Sequence, residues 1–378
     1  MSRTVPEKIT TKSGEVLCVG LELSSKNWKL AMTLDGVKVR MATVAAGSVS
    51  EVARAVAKAK EKLGLRPDAR IVSCYEAGRD GFWIHRELVK VGIENLVVDP
   101  SSIEVNRRQR RAKTDRLDAK KLAIQLLRHT EIGDRFSVVR VPSPEDEDAR
   151  RPDRELLRLK KERQQHTARM MSLLNLHGVR CAVGAEFGII LDTLRQRDGE
   201  PLPPALLAEL HREWDRLVLV RQQVKLLEKA RHARIRGKAT LATQMAARLV
   251  LLKGVADNSA SILCTEFFGF REFKNRRQVG ACAGMVGTPF DSGYSDREQG
   301  ISKAGNRRVR ALAIELAWAW LWYQPESKLA LWYTAKFGGH SSRMRRVGIV
   351  ALARKLLVAL WRFAEHGIIP EGAIMKAA

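Results

Sequence analysis

The sequence predicts an α/β domain followed by helical regions, and three observations predict it. Apolar runs of strand character open the chain, strand-like and helical segments then alternate, and long charged segments of helical period fill the middle. The opening runs are Val16 to Gly20, Trp28 to Leu34 and Val37 to Val44, and Asp35-Gly36 between the last two is a strong hairpin signal. Helical periodicity follows over Val49 to Leu63, a strand over Ile71 to Tyr75, a helix over Phe82 to Val91 and a strand over Asn95 to Val98. This βββαβαβ order makes a mixed sheet with helices packed on it, the order of the ribonuclease-H-like fold. A further helix runs from Asp115 to His129, with Thr114 placed to cap it.

Pro142, Pro144 and the acidic run Glu145-Asp146-Glu147-Asp148 then interrupt the pattern. Arg154 to Val179 and Pro204 to Arg236 read as long amphipathic helices. In the second, Leu207, Leu210, Trp214, Leu217, Val220, Val224 and Leu227 recur every three or four residues, which suits a coiled coil, a helical hairpin or an ordinary bundle. From Leu241 the chain is helical again, apart from a loop-rich insert between Gly284 and Gly305. Three regions are expected: 1–145, 146–238 and 239–378.

Charge narrows the function. Among 378 residues, 67 are Lys or Arg and 42 are Asp or Glu, a net +25. A surplus of this size points to a polyanionic partner, because cations placed on phosphates release condensed counterions. The last 78 residues carry thirteen Lys and Arg against four Asp and Glu, so the charge is not confined to one tail. The five cysteines are odd in number and widely spaced, which argues against zinc fingers and a disulfide framework and suits a reducing cytoplasm. The first fifteen residues hold no apolar signal-peptide core, and the most apolar stretch, Ala311 to Tyr323, is too short to span a bilayer. No membrane role is expected.

Four carboxylates stand where a metal site could be built. Glu22 ends the first strand, Glu76 ends a later one, and Asp115 and Asp118 lie three apart on one helix, hence on one side of it. Carboxylates from strand ends and a packed helix can converge on Mg²⁺, which takes hard oxygen ligands, with Mn²⁺ as a possible substitute. Such a centre acts on phosphodiesters. Taken singly, a strand-end Glu is usually a solvated residue, and acids in a first helical turn often only complement the dipole. Arg107, Arg108, Arg110, Arg111, Lys113 and Arg116 surround the aspartates, a density suited to nucleic-acid phosphates. Lys303, Arg307, Arg308 and Arg310 form a second basic group. Leu252-Lys253-Gly254-Val255 reads either as a phosphate-approaching hairpin between helices or as a plain connection. Trp318, Trp320, Trp322 and Trp332 read as core or as a base-stacking platform.

The segments Tyr75-Glu76-Ala77-Gly78, Val98-Asp99-Pro100 and Arg110 to Ala119, with its Lys-Thr-Asp-Arg-Leu-Asp block, resemble the transposases of insertion sequence family 110. So do Gly280 to Pro289, Asp291-Ser292-Gly293 and Gly300 to Asn306. The resemblance spans nearly the whole chain. It implies a RuvC-like N-terminal domain with an Asp-Glu-Asp-Asp metal site, a coiled-coil middle and a C-terminal transposase domain with a catalytic serine. It also implies DNA cut and rejoined under the guidance of a structured non-coding RNA, by dimers that pair into a tetramer. Carried over, the metal ligands are Glu22, Glu76, Asp115 and Asp118, and the nucleophile is Ser292. One departure is Glu22, where the family usually has Asp; Ser295 and Ser302 remain competitors of Ser292. Two other readings stay open: a RuvC-like nuclease or junction resolvase, and a non-catalytic nucleic-acid-binding protein.

Overall fold

The computed structural model describes residues 16–103, 114–133, 136–292 and 295–376, with backbone alone for 132, 289–292 and 295–299. The chain divides into two compact units, Met1–Pro142 and Ser143–Ala378.

The first unit is the mixed sheet. Its strands are β1 (Val16–Glu22), β2 (Asn27–Thr33), β3 (Arg40–Ala45), β4 (Arg70–Glu76) and β5 (Glu94–Val98), in the order β3-β2-β1-β4-β5. The first three are antiparallel, and β4 and β5 continue parallel to β1. Helices α1 (Val49–Leu63), α2 (Trp83–Lys90) and α3 (Asp115–Ile132) complete it. This is the α/β, ribonuclease-H-like arrangement that the element order implies. The hairpin differs from its two-residue signal. The Asp35 carboxylate accepts from the amides of Val37 and Lys38, both at 2.9 Å, and this local turn delays β3 until Arg40.

Strand alternation divides β1 between two cores. Leu17, Val19 and Leu21 pack with Val52, Val56, Ile84 and Leu88 of α1 and α2. Cys18 packs on the other face with Val72 and Cys74 of β4 and Leu122 and Leu126 of α3. Gly20 shares that face and permits the closest approach in the unit. A Cβ there would stand 2.4 Å from the Ala119 carbonyl oxygen and 2.5 Å from the Ala123 amide nitrogen. Both are backbone atoms that cannot turn aside. Gly20→Ala is therefore expected to push α3 off the sheet and lower stability by about 1–3 kcal/mol, read from the midpoint of urea unfolding.

The second unit is helical. Its elements begin with α4 (Pro144–Ala149), α5 (Arg151–Leu176), α6 (Phe187–Ile190) and α7 (Pro204–Gly237). Next come α8 (Leu241–Val250), α9 (Asp257–Leu263) with a π-helical turn Cys264–Phe268, and α10 (Arg276–Cys282). A hairpin of β6 (Gly287–Ser292) and β7 (Ser295–Ile301) precedes α11 (Arg307–Tyr323), α12 (Lys328–Phe337) and α13 (Ser342–His366). Helices α5 and α7 pack lengthwise through Leu156, Leu159, Val220 and Val224 at one end and Met170, Leu174, Leu210 and Leu217 at the other. The stripe on α7 is broken by Glu213, buried and held by His166 (2.7 Å), Arg169 (2.8 Å) and Arg216 (2.6 Å). Helices α8 to α13 close around the largest core, which includes Phe267, Phe268, Trp320, Leu352, Leu356 and Trp361.

The turn between α8 and α9 is tied into its own unit. The Lys253 amide donates to the Ile374 carbonyl at 3.0 Å and the Lys253 carbonyl accepts from Gln324 at 2.8 Å, so these backbone groups hold the C-terminal segment and the end of α11. The tryptophans separate as well. Trp320 is buried and donates to the Ser327 hydroxyl at 2.8 Å, Trp332 is half-buried, and Trp318 and Trp322 are exposed. Among the described residues no helix is long and apolar enough to cross a membrane.

Candidate active site

Three facts of local structure direct the carboxylates toward the same end of the sheet. Leu21 pairs with Tyr75, so Glu22 and Glu76 come next in register, side by side at the ends of two parallel strands. Both have the parity of Cys18, Gly20, Val72 and Cys74, and therefore face α3. Helix α3 runs antiparallel to β1: Thr130 reaches Cys18 at 3.6 Å, while Ala119 lies against Gly20 nearer the strand's end. Its first turn, with Asp115 and Asp118, thus lies off the ends of β1 and β4 beside the two glutamates. Thr114 fixes where that turn begins, its hydroxyl accepting from the Leu117 amide at 3.4 Å.

Asp118 is the distinctive member. One carboxylate oxygen accepts from Lys121 at 3.2 Å, while the other is buried with no hydrogen-bond partner. Buried acceptors are normally satisfied, and one left alone costs about 1–3 kcal/mol. Such an oxygen is open to a donor or a cation from outside the chain. Among the described residues no three His, Cys, Asp or Glu side chains stand close enough to cage a metal. Magnesium fits this sparse arrangement, since it is ordinarily held by one or two carboxylates, waters and substrate phosphates rather than by a full protein cage.

Of the cations flanking the aspartates, Arg116 is exposed on the first turn of α3, and Arg107, Arg108, Arg110, Arg111 and Lys113 lie outside the described residues. In the second unit the backbone of Ser292 ends β6 and pairs with Ser295, so both serines sit at the tip of the hairpin; their side chains lie outside the described residues. Ser302 follows the base instead, seven residues from Ser295, roughly 23 Å along an extended strand. There its amide donates to the Val286 carbonyl at 2.8 Å.

That base is held tightly. The Lys303 amide bonds to the Gly284 carbonyl at 3.1 Å and the Asn306 amide to the Cys282 carbonyl at 2.9 Å. At Gly305, φ is +117°, and a Cβ would stand 2.3 Å from the Cys282 carbonyl oxygen. Asn306 then caps α11, accepting from the amides of Arg308 and Val309. The second basic group is divided in its tasks. Arg307 is exposed, but Arg308 pairs with buried Glu266 at 3.1 Å and Arg310 donates to the Ala283 carbonyl at 3.0 Å.

Glu266 is a residue that sequence reading passed over. It sits in the π-helical turn and takes a two-pronged contact from Arg154 of α5, at 2.6 and 2.8 Å. Burial opposes its ionisation, yet the hydrogen bonds from Arg154 and the charges of Arg308 and Arg150 outweigh this and hold its pKa below the ordinary glutamate value. Nearby, Asp153 is buried against Arg231 at 2.8 Å and accepts from Ser261 at 2.6 Å. Both acids lie in ordinary-looking helical sequence, so only their tertiary partners distinguish them.

The sequence profile of the transposase IS116/IS110/IS902 family matches residues 246–331, the segment holding the hairpin and α11. A putative transposase of Sinorhizobium fredii, y4rJ, is 40% identical over 373 residues, covering 95% of this chain and 94% of that one. A second from the same organism, y4qE, is 28% identical over 317 residues, 78% of this chain and 75% of the other. The transposase for insertion sequence element IS1328 of Yersinia enterocolitica is 28% identical over 174 residues, 44% and 48% of the two chains. A relative so similar over nearly the full length, together with the profile match, establishes that this chain belongs to the IS116/IS110/IS902 family of transposases.

Proposed function

We propose that this transposase cuts and rejoins DNA strands at element ends and target through Ser292, with Glu22, Glu76, Asp115 and Asp118 holding divalent metal. The observation that carries the reading is the placement of strand-end glutamates beside the first turn of α3, where Asp118 keeps a buried oxygen unpartnered. Magnesium bound there would supply Lewis-acid stabilisation of the charge that develops on a phosphodiester. The chain's own part begins with the hairpin, whose rigid base presents Ser292 at the tip. Its hydroxyl oxygen forms a bond to phosphorus as the bond to the departing DNA oxygen breaks, and the hydroxyl proton goes to that leaving group. The phosphoserine link conserves the phosphodiester's energy, so a second strand's hydroxyl can reverse the step and rejoin DNA. Cations beside the aspartates would hold phosphates in position without reading sequence. A structured RNA chooses the DNA partners, and the working form is a dimer that pairs into a tetramer.

The test incubates the full chain with the flanking non-coding RNA, element-end DNA and Mg²⁺, followed by denaturing electrophoresis. A covalent DNA adduct is expected, absent from Ser292→Ala and from Asp118→Ala. Cut ends without an adduct, indifferent to Ser292→Ala, would establish hydrolysis instead. Binding without strand breakage would leave a non-catalytic scaffold.

A further inference from the structure

We propose that the groove between α10, α12, α13 and the base of the β6–β7 hairpin binds an unpaired nucleic-acid strand. Its bases would lie on an apolar floor and its phosphates against a cationic rim. The inference rests on the nucleic-acid chemistry proposed above and adds the place and the form of the strand. The groove has a volume of about 1440 Å³, and nine Lys or Arg line it against one carboxylate, Glu371. That carboxylate is paired with Lys328 at 2.7 Å. The other eight cations have no carboxylate partner among the described residues. A rim so unbalanced asks for a polyanion.

The rim has length as well as charge. Arg343, Arg346, Arg354 and Arg362 follow one side of α13, with Arg276 and Arg277 contributed by the first turn of α10. From Arg343 to Arg362 the helix rises about 28 Å. That is room for about four nucleotides or more, the lower end of single-strand site sizes.

The floor decides between paired and unpaired strands. Val347, Val350 and Val358 lie between those arginines on α13, and Trp332 faces them from α12 with the Lys355 ammonium 4.6 Å from its ring. A duplex offers a protein mainly phosphates and groove edges, its base faces being stacked on one another. Apolar surface beneath a duplex would stay unsatisfied. Unpaired bases expose faces that gain from apolar and aromatic contact, whichever base they are. The shared chemistry is a single strand, which DNA opened for exchange or an RNA loop could each supply.

Fluorescence anisotropy on the full chain tests this with labelled oligothymidylate and oligouridylate of about twelve nucleotides and a duplex of about the same length. Arg346→Glu/Arg362→Glu, both at exposed positions, is expected to lower single-strand affinity at least about tenfold. Lys58→Glu/Lys62→Glu on α1 makes the same change of charge elsewhere and should cost clearly less. Val347→Asn, which alters no charge, should weaken the single strand and leave the duplex unchanged. Tighter binding of oligothymidylate assigns the strand to DNA, and tighter binding of oligouridylate to RNA. Equal losses in the two charge-reversed pairs, or a Val347→Asn effect as large on duplex as on single strand, would overturn the proposal. Adduct formation is scored separately: a groove that binds single strands in a chain that forms no adduct overturns the serine chemistry alone.

Discussion

Asp118→Asn is expected to abolish strand cleavage while leaving the metal-free protein at least as stable as before. The substitution keeps the shape of the side chain and removes its charge. In the native chain one oxygen of that carboxylate is buried without a partner, an arrangement that costs stability, and under the metal reading a cation would satisfy it. Loss of metal stabilisation at the phosphodiester is worth several kcal/mol, and about 4 kcal/mol is about a thousandfold in rate. Binding also has a thermodynamic signature. At a hundredfold excess over its dissociation constant, a ligand of the folded state adds about 2.7 kcal/mol. Mg²⁺ should therefore raise the thermal midpoint of the native chain by about 5 °C or more, and leave Asp118→Asn unmoved. A native midpoint indifferent to both Mg²⁺ and Mn²⁺ would show that these carboxylates hold no metal.

Glu266→Ala is expected to lower the stability of the C-terminal unit markedly. Removing one member of a fully buried ion pair costs about 3–5 kcal/mol; Glu266 is buried but Arg154 and Arg308 are about half exposed and solvated, so the loss here is expected to be about 1–3 kcal/mol. Here Arg154, Arg308 and Arg150 would be left facing one another around an empty position. The unfolding midpoint in urea reads the loss. The pH dependence has a definite sign. A carboxylate whose folded pKa lies below its unfolded value stabilises fully above the unfolded value, about 4.3 for Glu. That contribution disappears as pH falls through the lower folded value. Native protein should thus lose stability on acidification below about pH 4.3, and Glu266→Gln should flatten that part of the profile. Since Arg308 and Asn306 begin α11 directly after the hairpin, Glu266→Ala should also weaken cleavage.

The first unit was largely legible in the sequence because its signals are local. Apolar runs set the strands, Thr114 announced the start of α3, and alternation put Glu22 and Glu76 on one face once the register was known. The second unit was less legible where function depends on distant partners. Nothing in the sequence around Glu266 or Asp153 marks a buried acid, because Arg154, Arg231 and Arg308 meet them only through tertiary packing. Arg308 and Arg310 read as free cations for DNA, yet each holds a protein group. A signal was available for the groove: cations at Arg343, Arg346, Arg354 and Arg362 alternate with valines at helical spacing. It was masked by the uniformly basic composition of the last 78 residues.

The carboxylate face and the hairpin together make one claim, a serine that carries DNA covalently, and the mass of the modified peptide tests it most directly. Trypsin should release residues 278–297, which contain Ser292 and Ser295, separately from residues 298–303, which contain Ser302. After reaction with element-end DNA and nuclease trimming, a nucleotide-phosphate mass is expected on 278–297, localised by fragmentation to Ser292. The same mass on Ser295 or Ser302, or cut DNA with no peptide modified, would contradict it.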